Sequence, residues 1–170
     1  MALYNSKRFK PFELVDKATY ESFADKSLSD IYDLFDWRLL KAVDDLVDKL
    51  EEHYKKSFKI ICNNWKWHKN PKASDYFQWR GLRNEKCRDY SAGSQHNYIK
   101  SVRKVTALDF DVVGVKAEDV RNFIIERQNE DWAKIIGGLE DDVNWVHLDI
   151  RSRLSGKIIQ FGKPNKKKRA

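Results

Sequence analysis

Side chains able to hold a metal or move a proton are few in this chain, and two of its histidines keep unusual company. The four histidines are His53, His68, His96 and His147. His53 falls on the charged side of a helix-like stretch, and His68 sits among Lys66, Lys69 and Lys72, whose charges oppose a cation; both read as surface residues. His96 closes a Gly/Ser-rich loop, after Ser94-Gln95, and leads toward Ala107-Leu108-Asp109-Phe110-Asp111. His147 lies within Trp145-Val146-His147-Leu148-Asp149. If both runs are strands, alternate residues share a face, so Trp145, His147 and Asp149 point one way, and Asp109 and Asp111 share a face of theirs. Two imidazoles and a carboxylate supply three of zinc's four ligands and leave the fourth position to water, the open arrangement that catalysis requires. A histidine and an aspartate on separate strands equally form a plain hydrogen-bonded pair, and spacing alone leaves both readings open. Cys62 and Cys87 make no CxxC pair and read as core or half-buried thiols.

The elements that must position these residues follow from periodicity. Over residues 29–54, Ile31, Leu34, Phe35, Leu39, Leu40, Val43, Leu46, Val47 and Leu50 keep helical spacing, with a restart at Asp36, which offers an N-cap. The face carrying Asp44, Asp45, Asp48, Lys49, Glu51 and Glu52 reads as solvated. Residues 58–62 form a short β-rich run, residues 63–75 a loop holding Trp65 and Trp67, and residues 84–95 a second polar loop. Strands are expected over 105–113, 143–150 and 157–161, a helix over 117–126, and a turn at Gly137-Gly138. Helices first, then strands with one helix between them, predict an α+β fold: a small, mostly antiparallel sheet flanked by helices.

Bulk properties set limits without choosing a function. One domain over residues 1–162 is expected, followed by a basic tail over 163–170 that contains Lys166-Lys167-Lys168-Arg169. The net charge of +7 suits nucleic acid, an anionic membrane or an anionic cell-wall polymer. Nucleic acid ranks last, because no recognition motif accompanies the charge. No apolar h-region opens the chain and no long apolar run follows, so neither a signal peptide nor a membrane span is expected. Synthesis in the cytoplasm is the corresponding expectation.

The order of motifs resembles the M15-type zinc peptidases, the D-Ala-D-Ala carboxypeptidase-like (hedgehog/LAS-type) group, and within it the small bacteriophage-encoded members. Ser94-Gln95-His96 is similar to the family's S-x-H, Ala107-Leu108-Asp109 to the end of G-x-A-x-D, and Trp145-Val146-His147 to W-x-H. Upstream, Arg80-Gly81-Leu82-Arg83 looks like the family's S-G-[aromatic/L]-R turn, with Arg in the place of Ser. Asn63-Asn64-Trp65 and the run from Trp145 to Arg151 add to the likeness, which covers residues 9–151. The resemblance implies a zinc site in a cleft, with His96, Asp109 and His147 as ligands and Asp111 as the alternative to Asp109. It implies Arg83 as a group binding a substrate carboxylate or oxyanion, with Ser94 and Trp145 beside the substrate. The implied activity is hydrolysis of peptidoglycan stem peptides or crosslinks, by an enzyme released to the cell wall in phage lysis or packaged in a virion.

Two departures bear on that reading. Between His96 and Asp109 stand twelve residues, 97–108, where the family has six; a loop or hairpin-like insertion accounts for them. The family's catalytic glutamate, three residues before the last histidine, is Asn144 here, and an amide cannot take a proton from water. Asp149 and the run Glu140-Asp141-Asp142 are the candidate replacements, Asp149 being equally suited to orienting a histidine ring. The alternative is a non-catalytic structural or wall-binding protein, a virion component with a protein partner, that keeps the fold.

Overall fold

The computed structural model describes residues 4–162, so the expected basic tail lies outside the described residues. In chain order the elements are α1 (Pro11–Leu14), α2 (Lys17–Glu21), a 3₁₀ helix (Leu28–Leu34), α3 (Trp37–Tyr54), β1 (Ile60–Ile61), β2 (Ala107–Val112), α4 (Ala117–Glu126), β3 (Gly138–Glu140), β4 (Val146–Asp149) and β5 (Ile159–Phe161). The fold is α+β, with a mixed five-stranded sheet in the order β1-β2-β4-β3-β5. Three of its neighbouring pairs are antiparallel and one, β3 with β5, is parallel.

The long helical stretch does restart at Asp36, whose carboxylate accepts the Arg38 backbone N–H at 2.9 Å. Before it the chain is a 3₁₀ helix, which ends as Phe35 turns extended. Leu39, Leu40, Val43, Leu46, Val47 and Leu50 of α3 are buried and share one core with Leu108 and Phe110 of β2 and with Val146 and Leu148 of β4. Asp44 departs from the solvated face expected for it. It is wholly buried, because the Tyr4 hydroxyl, the Ser6 hydroxyl and the Lys7 N–H each donate to its carboxylate at 2.7 Å. A helical wheel cannot foresee this, since the acid's partners come from a distant segment.

Helix α4 has the bounds its periodicity predicts, and the strands are shorter than the apolar runs that announce them. Gly137-Gly138 was expected to turn; instead Gly138 opens β3, hydrogen-bonded between β4 and β5. Glycines in a strand mark a close approach of other groups, and a Cβ on Gly138 would lie 2.6 and 2.7 Å from the Asp149 carboxylate oxygens. Trp145 falls in the bend just before β4, outside the alternation expected to align it with His147. The insertion is a hairpin, with Ile99 and Arg103 in an antiparallel bridge.

Candidate metal centre

Strands β2 and β4 sit side by side in a register that pairs Asp109 with His147. Directly opposed residues of an antiparallel pair project to the same face, so a carboxylate and an imidazole meet there without help from any loop. His96 arrives from the loop before the hairpin. Its carbonyl accepts the Arg83 N–H at 2.9 Å, and the Thr106 N–H donates to Gln95 O at 2.8 Å, fixing the backbone on both sides.

The three side chains are buried, and one donor atom from each lies within 4.8 Å of the others. His96 Nε2 is 3.4 Å from His147 Nδ1 and 3.5 Å from Asp109 Oδ1, and His147 Nδ1 is 2.7 Å from Asp109 Oδ1. Ligand atoms about 2 Å from a tetrahedral zinc stand roughly 3.3 Å apart. Two separations match that spacing. The third, 2.7 Å, is a hydrogen-bond separation between His147 Nδ1 and Asp109 Oδ1.

Every outward-facing atom of the cluster is also held. His96 Nδ1 lies 2.7 Å from the Gly81 carbonyl, so the ring donates there and turns Nε2 inward. His147 Nε2 lies 3.3 Å from Asp149 Oδ2, and Asp109 Oδ2 accepts from Arg83 Nη2 at 2.5 Å. Partners of this kind fix ring orientation and raise ligand basicity in metal sites. The backbone of Gly81 can supply its carbonyl because no side chain intervenes; a Cβ there would collide with the Leu14 carbonyl, which accepts the Leu82 N–H at 2.9 Å. Asn63 braces the same turn, accepting from Arg80 N at 3.0 Å and donating to Val15 O at 3.2 Å.

Charge is balanced within the group. Burial alone would raise the Asp109 pKa, but His96 and His147 hold it far below the usual carboxylate range. Burial would lower that of His147, but Asp109 and Asp149 outweigh it and push it up to about 9. Asp149 is lowered too, against its burial, by His147 and Arg151. The set of two imidazoles, one carboxylate and a polarising carboxylate behind the second ring suits a borderline divalent cation.

Two recesses open on the cluster. One, of about 330 Å³, is lined by Arg83, Ser94, His96, Glu140, His147 and Arg151 among others. The other, of about 460 Å³, is lined by Tyr76, Trp79, Arg83, Asp109, Asn144 and Trp145 among others. Arg83 borders both. Ser94 also accepts the His96 N–H through its hydroxyl at 3.2 Å, so it shapes the ligand loop as well as the recess. Asn144 is exposed in the bend before β4.

The two candidate bases differ sharply. Asp149 is fully buried, and its oxygens take the Arg151 guanidinium at 2.5 Å and the Arg151 N–H at 3.1 Å besides His147. Glu140 is half-buried in the recess, and no hydrogen bond or ion pair engages its carboxylate among the described residues. Since Gly138 pairs with Asp149 and Leu139 with Leu148, one further step brings Glu140 across from His147 on the same face. Asp111 lies outside the cluster and is paired with the Arg80 guanidinium. His53 packs on Tyr54 and Phe123, and His68 pairs with Asp75 at 3.0 Å, both away from the cluster.

Comparison with protein families, with curated proteins and with solved structures gives no match. The cluster therefore speaks through its own chemistry. The sequence motifs contain Gly81, Asn63 and Arg151, but the parts these residues play in bracing the cluster emerge only from the structure. For Arg151 the available signal is its place two residues after Asp149, where a basic side chain can reach back to the acid.

Proposed function

We propose that this chain is a zinc-dependent peptidase of M15-like type, acting on peptidoglycan stem peptides or crosslinks. The observation that carries the reading is the buried His96–Asp109–His147 cluster, whose outward atoms are all held by other groups while its inward atoms face two open recesses. Bound at His96 Nε2, His147 Nδ1 and Asp109, zinc would polarise a scissile carbonyl and lower the pKa of water. Glu140 is the group with a free carboxylate to take a proton from that water and deliver it to the leaving amine. Asp149 orients His147 and takes no part in proton transfer, because its oxygens are already occupied. Arg83 borders both recesses and stands where it can meet the carbonyl oxygen or a substrate carboxylate.

The reading predicts about one zinc per chain and cleavage of muropeptides that stops when zinc is chelated and returns when it is restored. Protein that binds no zinc, or that holds zinc and leaves muropeptides intact across a broad pH range, refutes it. A second reading has its own support in Asn144: a metal-holding structural or wall-binding protein, with a virion or other protein partner. It wins if the wild type is inert and Asn144→Glu gains hydrolysis.

A further inference from the structure

The hairpin between His96 and β2 has no task in the metal cluster, and its composition is one-sided. From Tyr90 to Leu108 the chain contains no acidic residue, while Lys100, Arg103 and Lys104 all fall within it. Its tip is apolar and uncovered. Val102 is 79% exposed, Ile99 45% and Tyr98 36%, three of the ten large hydrophobic side chains exposed among the described residues.

The tip is also rigidly built. Ile99 and Arg103 exchange backbone hydrogen bonds at 2.8 Å, and Val102 N donates to Ile99 O at 2.9 Å. Ser101 takes a left-handed conformation, with φ of 61°, to close the turn. Arg103 folds back and donates to the carbonyls of Ser94 and Ala92 at 2.8 and 3.2 Å, so its charge braces the base. Lys100 and Lys104 make no ion pair among the described residues, and the Asp36 carboxylate near Lys104 is bridged by Arg38 at 2.6 Å.

A polyanion would need the lysines alone. Two aliphatic side chains and a tyrosine held out in water between unpaired lysines fit a surface with negative charge at its face and hydrocarbon just beneath. We propose that the 97–104 hairpin is a docking prong for an anionic lipid surface: Ile99 and Val102 enter the interface, Tyr98 lies at headgroup level, and Lys100 and Lys104 meet the phosphates. This surface is independent of the peptidase chemistry.

Co-sedimentation of the full chain with vesicles tests it, comparing phosphatidylcholine alone with an equal mixture of phosphatidylcholine and phosphatidylglycerol. The wild type is expected to bind only the mixed vesicles, and less as salt rises. Lys100→Ala with Lys104→Ala should weaken binding about thirtyfold, and Ile99→Ser with Val102→Ser about tenfold. All four positions are exposed, so unchanged melting curves should accompany both variants. Equal sedimentation with both vesicle types overturns the proposal, and so does wild-type binding by both double variants, which would assign the attraction to the basic tail. Loss in the lysine variant alone, matched by equal loss of binding to soluble polyglutamate, makes the hairpin a polyanion site and likewise overturns it.

Discussion

Replacing Asp149 with Ala separates the two jobs assigned to that carboxylate, stabilising the sheet and aiming His147. In the native protein its oxygens accept from the Arg151 guanidinium at 2.5 Å and from His147 Nε2 at 3.3 Å, with no exposed surface of their own. Removing the acid strands a cation and an imidazole N–H together. Breaking a buried pair costs about 3 to 5 kcal/mol. Because Arg151 keeps 32% of its side chain in water, the lower end applies, about 3 kcal/mol. For a chain of this length that lowers Tm by roughly 6 to 12 °C. The ring of His147 also loses the group that fixes its tautomer and raises its basicity, so zinc affinity should fall about 10- to 100-fold. Thermal melts of the metal-free protein give the first number, and competition with a chromophoric chelator gives the second. Asp149→Asn serves as the graded control, keeping an acceptor for His147 while losing the charge that holds Arg151. If the Ala variant melts early yet binds zinc as tightly as the wild type, Asp149 is a structural ion-pair partner only, and the argument for a positioned imidazole fails.

Glu140→Gln should leave zinc content and Tm unchanged while hydrolysis drops about 10²- to 10⁴-fold; activity equal to the wild type would remove Glu140 from the mechanism. The raised pKa of His147, about 9, makes the ring cationic in the metal-free site at neutral pH. Zinc must displace that proton, so titration near neutrality in buffers of differing ionisation enthalpy should show about one proton released per zinc, and zero release contradicts the charge assigned to the ring. The same shift fixes a sign for stability without metal. His147 contributes fully below its unfolded value of about 6.5, and that contribution is lost as pH rises through about 9. Asp109, whose pKa is depressed, contributes above its own unfolded value and loses that contribution in acid. Denaturant midpoints of metal-free protein should therefore decline between neutral and alkaline pH; a midpoint that climbs there refutes the assignment. Gly138→Ala places a methyl group 2.6 Å from Asp149 and 2.8 Å from the Arg151 guanidinium, so zinc affinity should fall in the same direction as in the Asp149 variants, with about 1 to 3 kcal/mol of stability lost.

What the sequence discloses and what it withholds divide along the range of the interactions. Helix α4 and the start of α3 are written locally, in apolar spacing and an aspartate cap, and both stand where that spacing puts them. His96 and His147 are legible because a scarce residue type stands at a loop end and in a strand-like run, whereas Asp109, one of many aspartates, is singled out only by the resemblance of its motif. Strand β3 is not legible: three residues opening on a glycine carry no β signal of their own, and pairing on both sides makes the strand. The burial of Asp44 and the bracing by Asn63 escape for the same reason, since their partners are distant in sequence: Tyr4 lies 40 residues from Asp44, and Arg80 and Val15 lie 17 and 48 residues from Asn63. Alternation also misleads at Trp145, because the strand it seems to belong to begins one residue later.

The bond between Arg83 and Asp109 joins two events usually considered apart. One oxygen of Asp109 faces the cluster while the other holds the guanidinium that borders both recesses. An anionic ligand that draws Arg83 toward itself loosens its hold on that carboxylate and leaves more negative charge for the cation. If the cluster holds a metal as proposed, ligand and metal would then bind cooperatively, each raising the affinity of the other by the same factor. A single arginine would thus make the proposed metal centre responsive to an anion in either recess.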